Sequence, residues 1–265
     1  MKLEEIGFYT LEDIRARNCS HVSPLWRCEL LLTSRCNFTC PYCRGLLGSE
    51  LTLQEAIKII DIWAHGGLRN IRFSGGEPTL WEQLALLVEY TQKKDVQHIA
   101  ISTNGSAETD YYRHLIHLGI NDFSFSLDGC CSSTIDKMSG TKGMYEIIVN
   151  NIKEISKLTY VTVGIVITDD NIQELEKTIQ TISEWDVDDI RIISAAQNSA
   201  IPISLKELFT KFPILRYRLD NLKSGKPMRG LKDTDNHHCP LVLDDMACWD
   251  GKHYPCIIYL REGGP

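Results

Sequence analysis

The sequence predicts an α/β fold in which helices cover a parallel sheet. Three observations carry that expectation. Apolar strand-like runs alternate six times with amphipathic helical stretches between residues 26 and 193, the loops between them are short, and chemically capable residues recur just after strand ends. The chain has 265 residues, 43% of them hydrophobic, which suits one large α/β domain or two small ones. A net charge of −7 argues against bulk attraction to nucleic acid or acidic lipid. No apolar run approaches the roughly 18 residues that a membrane helix needs. No secretory h-region follows the charged opening Met1 to Glu5, so a cytoplasmic protein without a membrane partner is expected.

The elements follow in order. A first strand spans Trp26 to Thr33. Thr52 and Glu55 form a capping box for the next helix, whose Ala56, Ile59, Ile60 and Trp63 recur at helical spacing before Gly66-Gly67. A second strand covers Asn70 to Ser74. Thr79 and Glu82 read as another capping box, opening a helix through Tyr90. The third strand, Gln97 to Ser102, leads through Asn104-Gly105 into a helix near Glu108 to Leu118. The fourth strand is Asp122 to Leu127, with a helix from Met144 to Leu158. The fifth is Val161 to Ile167, and its helix from Asn171 to Trp185 turns Ile172, Leu175, Ile179 and Ile182 inward. The sixth is Asp189 to Ile193. Right-handed crossovers bring all strand C-terminal ends to one rim. Three regions result: an N-terminal helical segment (1–22), the strand–helix body (23–200) and a helical, cysteine-rich C-terminal extension (201–265). Within the last, Trp249-Asp250-Gly251-Lys252 reads as a tight hairpin that sets Cys248 opposite His253.

The chain has 10 cysteines, unevenly spread. Without a secretory signal, clustered cysteines read as metal or redox sites before disulfides. Cys36, Cys40 and Cys43 follow the first strand as C-x3-C-x2-C. Three close thiolates suit three irons of a cubane cluster and leave one iron free for a substrate or cofactor. A zinc site usually takes four closed ligands with paired spacing. Cys28, inside a strand, is expected in the core.

Cys36, Cys40 and Cys43 so placed resemble the signature of radical S-adenosylmethionine (radical SAM) enzymes. Gly75-Gly76-Glu77-Pro78 is similar to that family's GGE motif, and Ser102-Thr103-Asn104-Gly105 and Ser126-Leu127-Asp128-Gly129 are similar to its next two loops. The resemblance implies that the sheet is a partial (β/α)6 barrel of the TIM type. It also implies a [4Fe-4S] cluster on Cys36, Cys40 and Cys43 whose unligated iron binds the amino and carboxylate groups of S-adenosylmethionine. Reductive cleavage to a 5′-deoxyadenosyl radical and hydrogen abstraction from substrate follow from the same resemblance, as does a flavodoxin- or ferredoxin-like reducing partner. It implies further roles: Tyr42 near the adenine, Gly75 and Gly76 at the methionyl ammonium, and Glu77 accepting from that ammonium or fixing the turn. Ser102, Thr103 and Asn104 would face the ribose or carboxylate. Ser126 and Asp128 would join them, Asp128 being alternatively an Asx-turn residue. Ile165 and Val166 are adenine neighbours or core, and Asn171 a helix cap or a ligand.

Cys239, Cys248 and Cys256 resemble the ligands of auxiliary-cluster extensions of the SPASM and Twitch types, the shorter Twitch type more closely. That resemblance implies a second iron–sulfur cluster, with substrate, His253, His238 or Cys19 as fourth ligand. Zinc held with His253, or unmetallated structural cysteines, are the other readings. Cys130 and Cys131, beside Asp128, read as a hydrogen-atom donor or as plain loop residues. The expected function is radical chemistry on a small-molecule or peptide substrate, including oxidative maturation of a peptide or protein. The alternatives are redox-neutral use of the radical (rearrangement, epimerisation or glycyl-radical activation) and a non-catalytic metal-binding module.

Overall fold

The structure is a computed structural model and describes residues 18–194, 211–223 and 245–261. The helical segment expected at the N-terminus lies almost wholly outside the described residues, as do Cys239 and His238. Strands β1 (Arg27–Thr33), β2 (Asn70–Gly75), β3 (His98–Thr103), β4 (Asp122–Ser126), β5 (Tyr160–Ile167) and β6 (Asp189–Ser194) match the six expected strands to within a residue or so at each end. The sheet order is β6-β5-β4-β3-β2-β1, extended beyond β1 by β7 (Asp245–Trp249) and β8 (Lys252–Tyr254). All pairings are parallel except the β7–β8 hairpin. No helix among the described residues is long and apolar enough to cross a membrane.

Alternation along the strands divides the sheet into two unlike faces. Cys28, Leu30, Ile71, Phe73, Ile99, Ile101, Phe123, Phe125, Val163, Ile165 and Ile190 form one buried apolar layer with the helices. Helices α1 (Leu53–His65), α2 (Leu84–Gln92), α3 (Thr109–Leu118), α4 (Ser132–Ser139), α5 (Tyr145–Ile155), α6 (Leu175–Ser183) and α7 (Pro213–Lys223) all add buried side chains to that layer. The opposite face is polar. Glu29 and Arg72 are register partners, and Arg72 reaches across Ala100, its small neighbour, to Asp122 at 3.6 Å. Arg191 Nη2 donates to Ser124 Oγ at 3.2 Å, and Ser74 Oγ donates to Glu29 Oε1 at 2.6 Å.

The Thr52–Glu55 capping box forms: Glu55 N–H donates to Thr52 Oγ1 at 3.3 Å and Thr52 N–H to Glu55 Oε2 at 2.9 Å. The second expected box does not. Glu77 accepts from Thr79 N–H instead, making a 3-10 turn at Pro78–Leu80, and α2 begins only at Leu84. Pro78 fixes φ at the start of that turn, and the buried Glu77 outcompetes Glu82 for the Thr79 amide. Helix α4 was not expected from the sequence. Its eight residues carry only two large apolar side chains, Ile135 and Met138, too few for a visible period.

The C-terminal hairpin is part of the main sheet rather than a module beyond it. Asp250 (φ 50°) and Gly251 (φ 71°) make the two-residue turn, and Cys248 does stand opposite His253. Strand β7 pairs in parallel with β1, Arg27 facing Asp245 with 3.3 Å between Arg27 Nε and the carboxylate. Trp249, 2% exposed, packs with Leu31 and Ala247, and its indole N–H donates to Leu47 O at 2.9 Å. Helix α8 (Ile257–Arg261) closes this corner through Leu260. Replacing Trp249 with alanine is expected to lower the unfolding free energy by about 3–5 kcal/mol, read from the urea midpoint of the main transition. An unchanged midpoint would mean that the hairpin is only an appendage.

Candidate active site

Cys36, Cys40 and Cys43 lie on the loop that leaves β1 at the rim formed by the strand C-terminal ends, with Cys36 and Cys43 exposed and Cys40 half-buried. The loop is seated by backbone. Gly76 N–H donates to Thr33 O at 2.7 Å and Glu77 N–H to Arg35 O at 2.8 Å. A Cβ on Gly76 would run into the Arg35 carbonyl, and one on Gly75, whose φ is 139°, into that of Thr33. The glycine pair was expected to admit a ligand, but the close approach visible here is to the protein's own chain just ahead of Cys36. Arg35 adds a fork to Glu50 (2.7 and 3.0 Å) and donates to Leu80 O at 2.8 Å.

From the other side the loop rests on the end of α4. Thr39 N–H donates to Ser139 O at 2.9 Å, and Gly140 is left-handed (φ 65°) with no room for a Cβ against Thr39. Asn37 Nδ2 donates to Ser106 Oγ, and Asn104 Nδ2 to Asn37 Oδ1, both at 2.8 Å. Asn37 and Gly140 escaped the sequence reading. Gly140 takes the common left-handed helix-end position, but the helix before it is too short to show a period in the sequence.

Glu77 is fully buried, and four donors converge on its carboxylate. Thr79 N–H, Thr79 Oγ1 and Thr103 Oγ1 reach Oε1 at 3.1, 2.7 and 2.8 Å, and Asn104 N–H reaches Oε2 at 2.7 Å. Burial pushes its carboxyl up against the pull of these bonds. Its carboxylate caps the Pro78–Leu80 turn through Thr79 N–H. Thr103 is likewise buried, bonded to Glu77 and 2.9 Å from Tyr112 OH, rather than facing the rim. Ser102 is half-buried and Ser126 exposed, both on the polar face, and Asn104 stands at 3.9 Å from Cys36 Sγ.

Tyr42 OH donates to the buried Asp128 Oδ2, and Val166 N–H donates to Oδ1 at 2.6 Å. Asn171, also buried, gives its Nδ2 to Asp128 O and Val166 O, both at 2.7 Å, tying the loops after β4 and β5 together. Asp128 is thus a clasp on the cysteine loop rather than an Asx turn. Burial first, against the Tyr42 bond, pushes its carboxyl up to about 6. Ile165 belongs to the apolar layer, while Val166 is half-buried on the other face.

Burial pushes Cys40 up to about 11 and raises Cys36. Phe38 N–H and Gly45 N–H already aim at the sulfurs of Cys36 and Cys43, each at 3.4 Å. Such amide donors stabilise thiolate charge, and a bound metal would supply the rest of the shift.

Residues 30–182, which hold this loop and every motif converging on it, match the family model described as the Radical SAM superfamily. The chain belongs to that superfamily. As a radical SAM enzyme it is similar over 132 residues (47% of the chain, 38% of the relative) to a GTP 3′,8-cyclase of Synechococcus sp., at 32% identity. Over 121 residues (43% and 30%) it is 35% identical to an Fe-coproporphyrin III synthase of Methanosarcina barkeri. These matches span well under half the length of either relative. In fold it resembles Streptococcus suis SuiB, solved with its precursor peptide SuiA, with a TM-score of 0.68 at 14% identity over 94% of this chain and 63% of that one. A likeness to anSMEcpe with bound AdoMet has a TM-score of 0.55 at 16% identity, over 76% and 62%. Members of the superfamily bind a [4Fe-4S] cluster and S-adenosylmethionine. Three thiols on one loop, two of them already facing amide donors, fit such a cluster by their donor chemistry.

The C-terminal cysteines of this radical SAM chain sit differently. Cys248 is buried in the apolar layer with Cys28 and Leu30, its thiol pushed up to about 11 by burial. His253, opposite it, packs edge-on against Trp63 at 5.8 Å. Cys256 is half-buried at the start of α8 and accepts from Tyr259 N–H at 3.4 Å. Arg261 reaches from the same helix to Gly75 O at 3.3 Å, a contact that nothing in the sequence announces.

Two measurements follow. Gly76→Ala is expected to keep the helical content and lose most of the iron retained after anaerobic reconstitution, because the cysteine loop must lift away. Wild-type iron would show that the loop does not depend on this seat. The second concerns Asp122, whose carboxyl burial raises from 3.8 to about 6 despite Arg72 and Arg191. The folded chain holds that proton more tightly than the unfolded one. The resulting stabilisation is complete below about pH 3.8 and fades as the pH climbs through about 6. Wild type is therefore expected to lose unfolding free energy relative to Asp122→Asn between about pH 4 and about pH 7, measured by urea titration at both. A constant difference would refute the raised value.

Proposed function

We propose that Cys36, Cys40 and Cys43 hold the [4Fe-4S] cluster and that the polar sheet face beside it receives S-adenosylmethionine and a polar substrate. The observation that carries this reading is the convergence of four loops on one set of thiols: the glycine pair, the Asn104 loop, Asp128 and the end of α4 all fix the cysteine loop. The chemistry that cluster and cofactor supply when bound is reductive cleavage of S-adenosylmethionine to a 5′-deoxyadenosyl radical that abstracts hydrogen from substrate.

The chain's residues position and shield. Tyr42, held by Asp128, ties the cysteine loop to the loop after β4, and Phe38 packs it against the apolar layer. Ser102, Asn104 and Ser126 offer hydrogen bonds at the rim to the cofactor's ribose and carboxylate. Glu29, Arg72, Ser124 and Arg191 lie deeper on the same face and suit a substrate with charged or strongly polar groups. A flavodoxin- or ferredoxin-like partner delivers electrons at the exposed side of Cys36 and Cys43.

A peptide substrate and a net oxidative outcome are supported by the fold likeness to SuiB, which was solved with a precursor peptide. Redox-neutral use of the radical is supported by Cys248, whose burial among apolar side chains suits packing better than an auxiliary cluster. Anaerobic reconstitution followed by dithionite and S-adenosylmethionine tests the proposal. About four irons per chain and release of 5′-deoxyadenosine are expected, both lost in Cys40→Ala. About eight irons, falling to about four in Cys239→Ala/Cys256→Ala, would select the oxidative reading. Fully loaded protein that forms no 5′-deoxyadenosine would overturn the proposal.

A further inference from the structure

Two adjacent thiols face a carboxylate a short way along the same rim. Cys130 and Cys131 end the loop after β4, and Glu174 ends the 3-10 turn Ile172–Glu174 after β5. Their ligating atoms all lie within 4.8 Å of one another. Cys130 Sγ is 3.6 Å and Cys131 Sγ 3.8 Å from Glu174 Oε2. Tetrahedral zinc, with Zn–S about 2.3 Å and Zn–O about 2.1 Å, sets sulfur and oxygen ligands about 3.6 Å apart along a tetrahedral edge. The two distances lie within about 0.2 Å of that edge. All three side chains are half-buried, within reach of an entering ion.

We propose that Cys130, Cys131 and Glu174 bind a thiophilic divalent cation, zinc fitting best, which pins the loop after β4 to the turn after β5. Two thiolates and one carboxylate suit a borderline-soft ion and are wrong for calcium or magnesium, which take oxygen ligands. Three protein ligands leave a fourth position for water or an incoming group.

The surroundings hold the three groups in place. Thr134 Oγ1 donates to Glu174 Oε2 at 2.7 Å, the kind of outer contact that orients a ligating carboxylate. Tyr145 OH donates to Cys130 O at 2.8 Å. Gly129 lets the loop press onto α4, since a Cβ there would meet Thr134 Cγ2 at 2.6 Å. Asn171 joins the two loops one turn away through Asp128 O and Val166 O. Bonds from Ser133 and Thr134 lower the Cys131 thiol, whereas burial, then the Glu174 charge, raises that of Cys130. A cation between the three offsets the burial cost, and then the Glu174 repulsion, that raise Cys130. Two thiols simply donating to one carboxylate oxygen account for the same distances, and metal titration separates the two cases.

The test uses the full chain after anaerobic iron loading, incubated with zinc chloride, desalted and analysed for metals, with cobalt(II) as the optical probe. One zinc per chain beyond the iron is expected, with a thiolate-to-cobalt charge-transfer band. Both should persist in a Cys36/Cys40/Cys43 triple alanine variant and disappear in Cys131→Ser and in Glu174→Gln. Thr134→Val should weaken zinc roughly 10–100-fold while leaving the stoichiometry intact. Circular dichroism on each variant separates lost metal from lost fold. Zinc that is absent from wild type, or that survives Cys130→Ser/Cys131→Ser, or that departs only with the Cys36 loop or with Cys239 and Cys256, overturns the proposal. Zinc retention is independent of 5′-deoxyadenosine formation, so this inference and the assigned radical chemistry can fail separately.

Discussion

Backbone packs on backbone where β1 and β2 end, and the rest of the rim is arranged around that contact. Gly75 and Gly76 are the residues without which Thr33 to Arg35 could not lie where they do. The geometry leaves no space for a methyl group, so the contact is either made in full or not at all. Its consequences spread through hydrogen bonds rather than through packing. Gly76 and Glu77 amides hold β1's exit, the Glu77 carboxylate then gathers Thr79, Thr103 and Asn104, and Asn104 passes the constraint back to the cysteine loop through Asn37. A closed circuit of short bonds around a buried carboxylate resists distortion better than isolated pairs do. Such stiffness matters where three thiols must present themselves together.

The two faces of the sheet obey different rules. On the helix side, burial of Val, Ile, Leu and Phe supplies the stabilisation, at roughly 25 cal/mol per Å² of apolar surface removed from water. On the other side the strands carry Glu29, Arg72, Asp122, Ser124 and Arg191 where a closed barrel would stack branched apolar residues. Asp122 is fully buried, has no hydrogen bond to either oxygen among the described residues, and meets Arg72 only at 3.6 Å. A pair so loosely made contributes little to stability. Ala100 and Gly164, small residues set between long ones, leave room for Arg72 and Arg191 to lie across the row. This face carries polar groups at little gain in stability, and the apolar layer behind it bears the energetic load.

The period-two runs and their amphipathic helices were legible because each apolar stripe is long. Ile59, Ile60 and Trp63 in α1, or Val161 to Ile167 in β5, leave no competing reading. The cysteine spacing and the Gly75-Gly76 pair were legible for a different reason, since chemistry and sterics demand those residue types. What stayed hidden depends on partners far along the chain. Nothing near Thr103 distinguishes a rim hydroxyl from one buried against Glu77 and Tyr112. The Thr79–Glu82 box is sound local grammar, overruled by a carboxylate two residues upstream. Asn37 and Gly140 acquire their roles only when α4 is folded against the loop, and α4 itself is too short to declare a period.

The C-terminal hairpin illustrates how edge chemistry sets the use of a segment. Strand β1 would otherwise present an open row of amides and carbonyls beside the cysteine loop, a template for unwanted pairing. Strand β7 occupies that row in parallel and β8 covers β7 in turn. Once β7 joins the sheet, alternation leaves it no choice. Trp249 and Ala247 must face the side of Leu31, and Cys248 must enter the helix-covered layer with Cys28. The same pairing carries Asp250 to Ser49 N–H at 3.0 Å and the Trp249 indole to Leu47 O, bracing the segment that leaves Cys43. Sequence spacing sets Cys248 as one ligand among three, whereas strand pairing places its side chain in the apolar layer beside Leu30. A cysteine's neighbours across the sheet, as much as its neighbours along the chain, set what surrounds its thiol.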